Sequence, residues 1–154
     1  MNGLSCEAGT QQKVTKTQRQ TQRMKRFEPI PSEIERVAKE VVDSAFKINK
    51  ALGPGLLESV YQACMVHELH RRGFKVKTEV KVPIIYEGLR LDAELRIDLL
   101  VEDQLIVELK AVDKMSPIFE AQLLTYLRLL VLRLGLLINF NVPLIKDGIK
   151  RVIL

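Results

Sequence analysis

The chain has 154 residues, 47% of them apolar and 28% charged, enough for one domain with a real core and ordinary for a globular protein. No apolar run reaches the roughly 20 residues a membrane-crossing helix needs, since Arg128, Arg133 and Gly135 break the stretch Leu123 to Phe140. The polar segment Met1 to Met24 lacks a secretory h-region, and Cys6 and Cys64 are too few for a disulfide framework, so a cytoplasmic protein without a membrane anchor is expected.

The formal net charge of +5 is uneven along the chain. Up to Pro31, six basic residues (Lys13, Lys16, Arg19, Arg23, Lys25 and Arg26) face only Glu7 and Glu28, a surplus of four. Residues 1–31 are also poor in apolar side chains, too poor to offset the entropy of ordering. They read as a basic, disordered tail able to collect phosphates, or as a merely solvated leader.

Organised sequence begins at Ser32, which with Glu35 forms a capping box opening a helix. Ile34, Val37, Ala38, Val41, Val42, Ala45 and Phe46 recur at helical spacing until Gly53-Pro54-Gly55 ends or kinks the run. A second helix spans about Leu57 to Arg72, with Gly73 as its stop. The period then becomes two: Phe74, Val76, Thr78, Val80, Val82 and Ile84 describe a half-buried strand that Pro83 marks as an edge or a bulge. After a Glu87-Gly88 turn come strands over Leu95–Val101 and Leu105–Ala111. Ser116-Pro117 starts a helix reaching about Leu132, followed by strands Leu136–Phe140 and Ile149–Ile153, the last entered through Asp147-Gly148. The order is α-α-β-β-β-α-β-β over residues 32–154.

The central hairpin carries the chemistry. Glu108 and Lys110 share one face of their strand, as Arg96 and Asp98 share one face of theirs. If Val101 pairs with Leu105 around Glu102-Asp103-Gln104, Asp98 falls opposite Glu108; a two-residue loop would pair it with Val107 instead. The first register is favoured because it gathers Leu95, Ile97, Leu99, Leu105, Val107 and Leu109 on one apolar face. Two adjacent carboxylates repel one another unless protonated or neutralised, and a hard divalent cation, Mg²⁺ or Mn²⁺, answers that need. Lys110 adds a positive charge where a phosphate oxygen or an attacking water would sit, the equipment of phosphodiester hydrolysis. Taken alone, this spacing would equally describe a surface strand with a weak Glu108–Lys110 salt bridge.

The segment Asp98…Glu108-Leu109-Lys110, on adjacent strands after a helix, resembles the PD-(D/E)XK nuclease superfamily. Gly53-Pro54-Gly55-Leu56-Leu57-Glu58-Ser59-Val60-Tyr61, Arg96-Ile97-Asp98-Leu99-Leu100-Val101, Ile106-Val107-Glu108-Leu109-Lys110-Ala111 and Gly135-Leu136-Leu137-Ile138-Asn139-Phe140 together look like the GxxExxR protein family within it. The resemblance covers residues 32–154. It implies an α/β, restriction-endonuclease-like core, a central mixed sheet flanked by helices, and a metal-dependent nuclease acting on nucleic acid, with DNA as the leading substrate. It also implies metal ligation by Asp98, Glu108, the Leu109 carbonyl and Glu58, a catalytic Lys110, and substrate contact through Gln122 and Tyr126. Arg96, on the face it shares with Asp98, is expected either to contact a substrate phosphate or, at least equally, to form an ion pair with Asp98. Ile97 replaces the proline of the family motif. Met24 stands where such proteins often begin, so residues 1–23 are expected to be a start-site extension.

A nuclease-fold module that binds nucleic acid or protein without cutting is the alternative. The wide apolar run on the Leu123–Leu134 helix suits a homodimer surface or a fully buried central helix equally. Cys64, His67 and His70 do not make a zinc site, because His70 drifts about 60° round the helix and a fourth ligand is missing.

Overall fold

The structure is a computed structural model, and it describes residues 28–154. The basic tail expected over residues 1–31 therefore lies, up to residue 27, outside the described residues. Helices α1 (Ser32–Leu52) and α2 (Glu58–Arg71) precede strands β1 (Val76–Tyr86), β2 (Leu89–Val101) and β3 (Leu105–Lys110); helix α3 (Pro117–Leu130), strand β4 (Leu134–Asn139), a 3₁₀ turn (Ile145–Gly148) and strand β5 (Ile149–Ile153) complete the chain. The five strands form one sheet in chain order. Only β3 and β4, joined by the α3 crossover, run parallel. The α/β order and the mixed sheet flanked by helices are as the sequence predicts. No helix among the described residues is long and apolar enough to cross a membrane.

Strand alternation sends side chains to two cores. On one face Leu105, Val107, Leu109, Leu134, Leu136 and Ile138 pack with Val37, Val41, Tyr61, Met65 and Leu69 of α1 and α2. On the other Leu100, Ile106, Leu137 and Val152 pack with Leu123, Tyr126 and Leu127 of α3. The apolar run of α3 is largely absorbed there, and Leu123 lies so close to Gly135 that a Cβ at that position would stand 2.7 Å from its Cδ1.

The boundaries follow local chemistry, with two corrections: strand β2 begins at Leu89, directly after the Glu87-Gly88 turn, rather than at Leu95, and the cap of α1 differs. Ser32 is not an N-cap: Pro31 holds that place, its carbonyl accepts from the Glu35 N–H at 3.1 Å, and no side chain caps the helix. The Glu35 carboxylate is taken instead by a two-pronged ion pair with Arg151 of β5. Helix α2 does end at its glycine. Gly73, at φ 85°, donates to His70 and Phe74 donates to Leu69, a Schellman closure that seats Phe74 in the core. Pro83 sits on an edge strand at a register shift between Val82 and Ile84.

Helix α3 opens on Ser116, whose Oγ accepts from the Ile118 N–H, with Pro117 at the first helical position. It closes on Val131 at φ 56°, ψ 39°, the left-handed conformation that a β-branched residue tolerates worst. Val131 is 86% exposed, so its side chain contributes little packing. Val131→Gly should therefore raise unfolding stability by about 1 kcal/mol, read by chemical denaturation. An unchanged or lower midpoint would refute the account of that cap.

Candidate active site

The hairpin has the register that joins the two carboxylates. Val101 pairs with Leu105, Leu100 with Ile106 and Leu99 with Val107, and the three-residue loop turns through Glu102 and Asp103 at φ 53° and 54°. The ladder stops there, one residue short of Asp98 and Glu108. Side chains supply the next links: the Leu109 N–H donates to Asp98 Oδ2 at 2.8 Å, and the Asp98 N–H donates to Glu108 Oε1 at 3.3 Å. The strands thus fork around a carboxyl pair that fills the place of backbone pairing.

The expected single apolar face across the hairpin needs correction at the same point. Leu99, Leu105, Val107 and Leu109 face α1 and α2, but Ile97 and Leu95 join the core beneath α3. Strand β1 changes sides too, from Val76 to Val80 and Val82. Between Thr78↔Leu99 and Val80↔Ile97 the rung at Glu79 and Asp98 is missing, and Glu79 adopts φ 51°. A left-handed residue rotates the following peptide and so changes which side chains point inward.

Glu108 is 4% exposed, and its carboxyl is pushed up to about 8, first by burial and then by the charge of Asp98. Asp98 is raised as well, by burial, against the relief of the Leu109 N–H and of Lys110. Both shifts run the same way, so the pair resists carrying two negative charges. Lys110 lies two residues on, and its Nζ stands over the Phe119 ring, 4.7 Å from the centroid. Glu58, the first residue of α2, is half-buried; burial raises its pKa, with Lys110 opposing and Asp98 and Glu79 reinforcing. Tyr126 is buried and raised by that burial and by Glu108; its hydroxyl accepts from the exposed Gln122 amide at 2.8 Å. Arg96 is exposed and pairs not with Asp98 but with Glu79, at 3.8 Å.

Among the described residues no three His, Cys, Asp or Glu side chains converge as a ready metal group. The carboxylate pair stands alone in that respect, with Glu58 in electrostatic reach of it. His67 and His70 line a separate shallow groove with Gln62, Thr78 and Glu79, and Cys64 packs at the edge of the core.

Three residues of the centre have no role in the sequence reading. Glu79 lies opposite Asp98 and adds negative charge to it. Phe119 holds the Lys110 ammonium. Asn139, pairing with Lys110 across the parallel β3–β4 ladder, is 2% exposed, and its amide clamps both the N–H and the carbonyl of Val112. A polar residue ending the wholly buried strand Leu134–Asn139 is the one signal that marked any of them.

An acid whose pKa rises on folding holds a proton that the unfolded chain has already released. Glu108 therefore costs stability as pH climbs from its ordinary 4.5 toward about 8. In EDTA, Glu108→Gln should be more stable than the parent at pH 8, by roughly 1–3 kcal/mol, and the gap should close near pH 4.5. Parallel pH profiles of unfolding for the two proteins would rule this out.

The model of the PD-(D/E)XK nuclease superfamily matches residues 35–152. None of the curated proteins matches the chain in sequence. Among solved structures it is similar to one titled "Crystal structure of SSO0001", at 22% identity and a TM-score of 0.44. That likeness covers 78% of this chain and 58% of the other, so this chain spans little more than half its length. With the family model running from the first turn of α1 to β5, through both forked strands, the chain belongs to the PD-(D/E)XK nuclease superfamily.

Proposed function

We propose that this protein is a Mg²⁺- or Mn²⁺-dependent nuclease that hydrolyses phosphodiester bonds, with DNA as its substrate and Asp98, Glu108 and Lys110 at its centre. The observation that carries the reading is the fork: a carboxyl pair, Glu108 buried and Asp98 half-buried, each gripped by a backbone N–H of the opposite strand, with a lysine two residues away. A pair of that kind is electrostatically expensive to maintain and serves no packing purpose an amide would not serve better.

The donor set fits a hard divalent cation. Mg²⁺ is commonly held by one or two carboxylates and keeps several waters, so a two-carboxylate site without a third converging acid suits it. Asp98 and Glu108 would hold the ion together with the Leu109 carbonyl, and Glu58 would reach it through water. When bound, such an ion lowers the pKa of a coordinated water and polarises a phosphoryl oxygen.

The remaining work falls to the chain itself. The Leu109 N–H fixes Asp98, and the Asp98 N–H fixes Glu108, so both carboxylates are oriented before substrate arrives. Lys110, steadied by the Phe119 ring, would stabilise negative charge developing on the phosphate. Tyr126, buried toward the carboxylates, would orient Gln122 to contact the nucleic acid, with Arg96 on the exposed side meeting a phosphate. The ordered motifs around Glu58, Asp98, Glu108 and Asn139 support placing the chain with the GxxExxR proteins.

Labelled single-stranded, duplex and branched DNA, incubated with Mg²⁺, Mn²⁺ or EDTA, tests the proposal directly. Metal-dependent cleavage should fall at least about 100-fold in Glu108→Gln and in Lys110→Ala. Absence of cleavage on every substrate, together with no metal binding by calorimetry, would sink it.

A further inference from the structure

One groove that the cleavage chemistry does not use lies between two segments linked to the chain around Lys110. It encloses about 610 Å³ between the last turns of α1 (Phe46, Lys47, Asn49 and Lys50) and the segment Pro143, Leu144, Ile145 and Lys146. The two walls are fastened together, because the Asn49 amide donates to the Val142 carbonyl at 3.3 Å. Both walls also connect, through a short chain of contacts, to the Lys110 backbone. The α1 wall ends at Gly53, whose carbonyl accepts from the Tyr61 hydroxyl at 2.6 Å; the Tyr61 ring stacks on Phe140, centroids 4.5 Å apart. Phe140 in turn donates its N–H to the Lys110 carbonyl at 2.8 Å and stands three residues before Pro143.

No acidic side chain lines this groove. Lys47 is committed to Glu68 at 2.8 Å, whereas Lys50 and Lys146 have no ion pair among the described residues. Two large apolar side chains stay open to solvent on its walls, Phe46 at 45% and Leu144 at 57% exposure. Lysines at the rim and an aromatic face within match the chemistry of an unpaired nucleic-acid strand, whose phosphates want cations and whose bases want a surface to stack on. A duplex keeps its bases stacked on each other, and an acidic peptide has no use for the ring.

We infer that this groove seats the single-stranded flank of the substrate, beyond the phosphate held at Asp98 and Glu108. The inference rests on the nuclease reading for its substrate class, and it adds a preference for unpaired strand and a second contact region. It gives substrate length a role: a strand long enough to reach the groove gains affinity that a shorter one lacks.

Fluorescence anisotropy in EDTA, with a labelled oligothymidine of about 15 nucleotides, isolates binding from cutting. Phe46→Ala should weaken binding about tenfold, from loss of stacking. Lys50→Ala with Lys146→Ala should weaken it and lower the salt slope by about 1.4, two phosphate contacts at 0.7 each. All three positions are exposed, so the fold survives their substitution. Variants that bind like the wild type overturn the groove, as does wild-type protein that binds no oligonucleotide, or that binds duplex or polyglutamate as tightly. Cleavage under Mg²⁺ or Mn²⁺ reports separately on the centre. Groove variants that bind and cut like the wild type leave the nuclease standing without its groove. A wild type that binds through the groove and never cuts leaves the groove without the nuclease.

Discussion

Burying Glu108 beside Asp98 is the constraint around which the rest of the fold is arranged. Burial discourages one negative charge and proximity discourages a second, so the pair is stable only with a proton or a cation between its oxygens. Holding two repelling groups in contact requires a rigid frame. The frame is the forked end of β2 and β3, where backbone N–H groups of Leu109 and Asp98 grip the carboxyls directly. A sheet paired to its end would have spent those donors on carbonyls instead.

Each neighbouring element then has an intelligible place. Helix α3 seals one face of the sheet and brings Tyr126 and Phe119 to the carboxylates and the lysine. Helix α2 begins at Glu58, and the loop before it is tied down by Tyr61, whose hydroxyl accepts from the Leu56 N–H and donates to the Gly53 carbonyl. The parallel neighbour β4 ends on Asn139, which fixes the chain just beyond Lys110. Three separate elements thus converge on four residues of one hairpin.

Much of this was legible in the sequence because it depends on short-range rules. Loop length and the parity of apolar residues set the β2–β3 register, Gly73 set the end of α2, and Ser116-Pro117 set the start of α3. What was not legible depends on tertiary geometry. A glutamate gives no warning that it will take φ 51°, so the change of faces at Glu79 and the transfer of Leu95 and Ile97 to the α3 core could not be read from alternation. Ser32 carries every local mark of a cap, but Pro31 takes the position and Arg151, 116 residues away from Glu35, takes the partner. Phe119 reads as an ordinary helix residue until α3 is laid across the sheet.

The missing rung at Glu79 and Asp98 also divides the β1–β2 hairpin into two parts with different histories open to them. Below it the strands belong to the five-stranded sheet and cannot shift without moving Asp98. Above it, residues 80–97 form a two-stranded arm paired with no third strand among the described residues, its tip at Ile85, Tyr86 and Leu89 standing in solvent. Because side chains alternate with period two, such an arm can lengthen or shorten by pairs of residues on each strand and still present Val80, Val82, Leu95 and Ile97 to α3. The fold therefore carries one segment free to diversify in reach and surface while the chemistry at its root stays fixed.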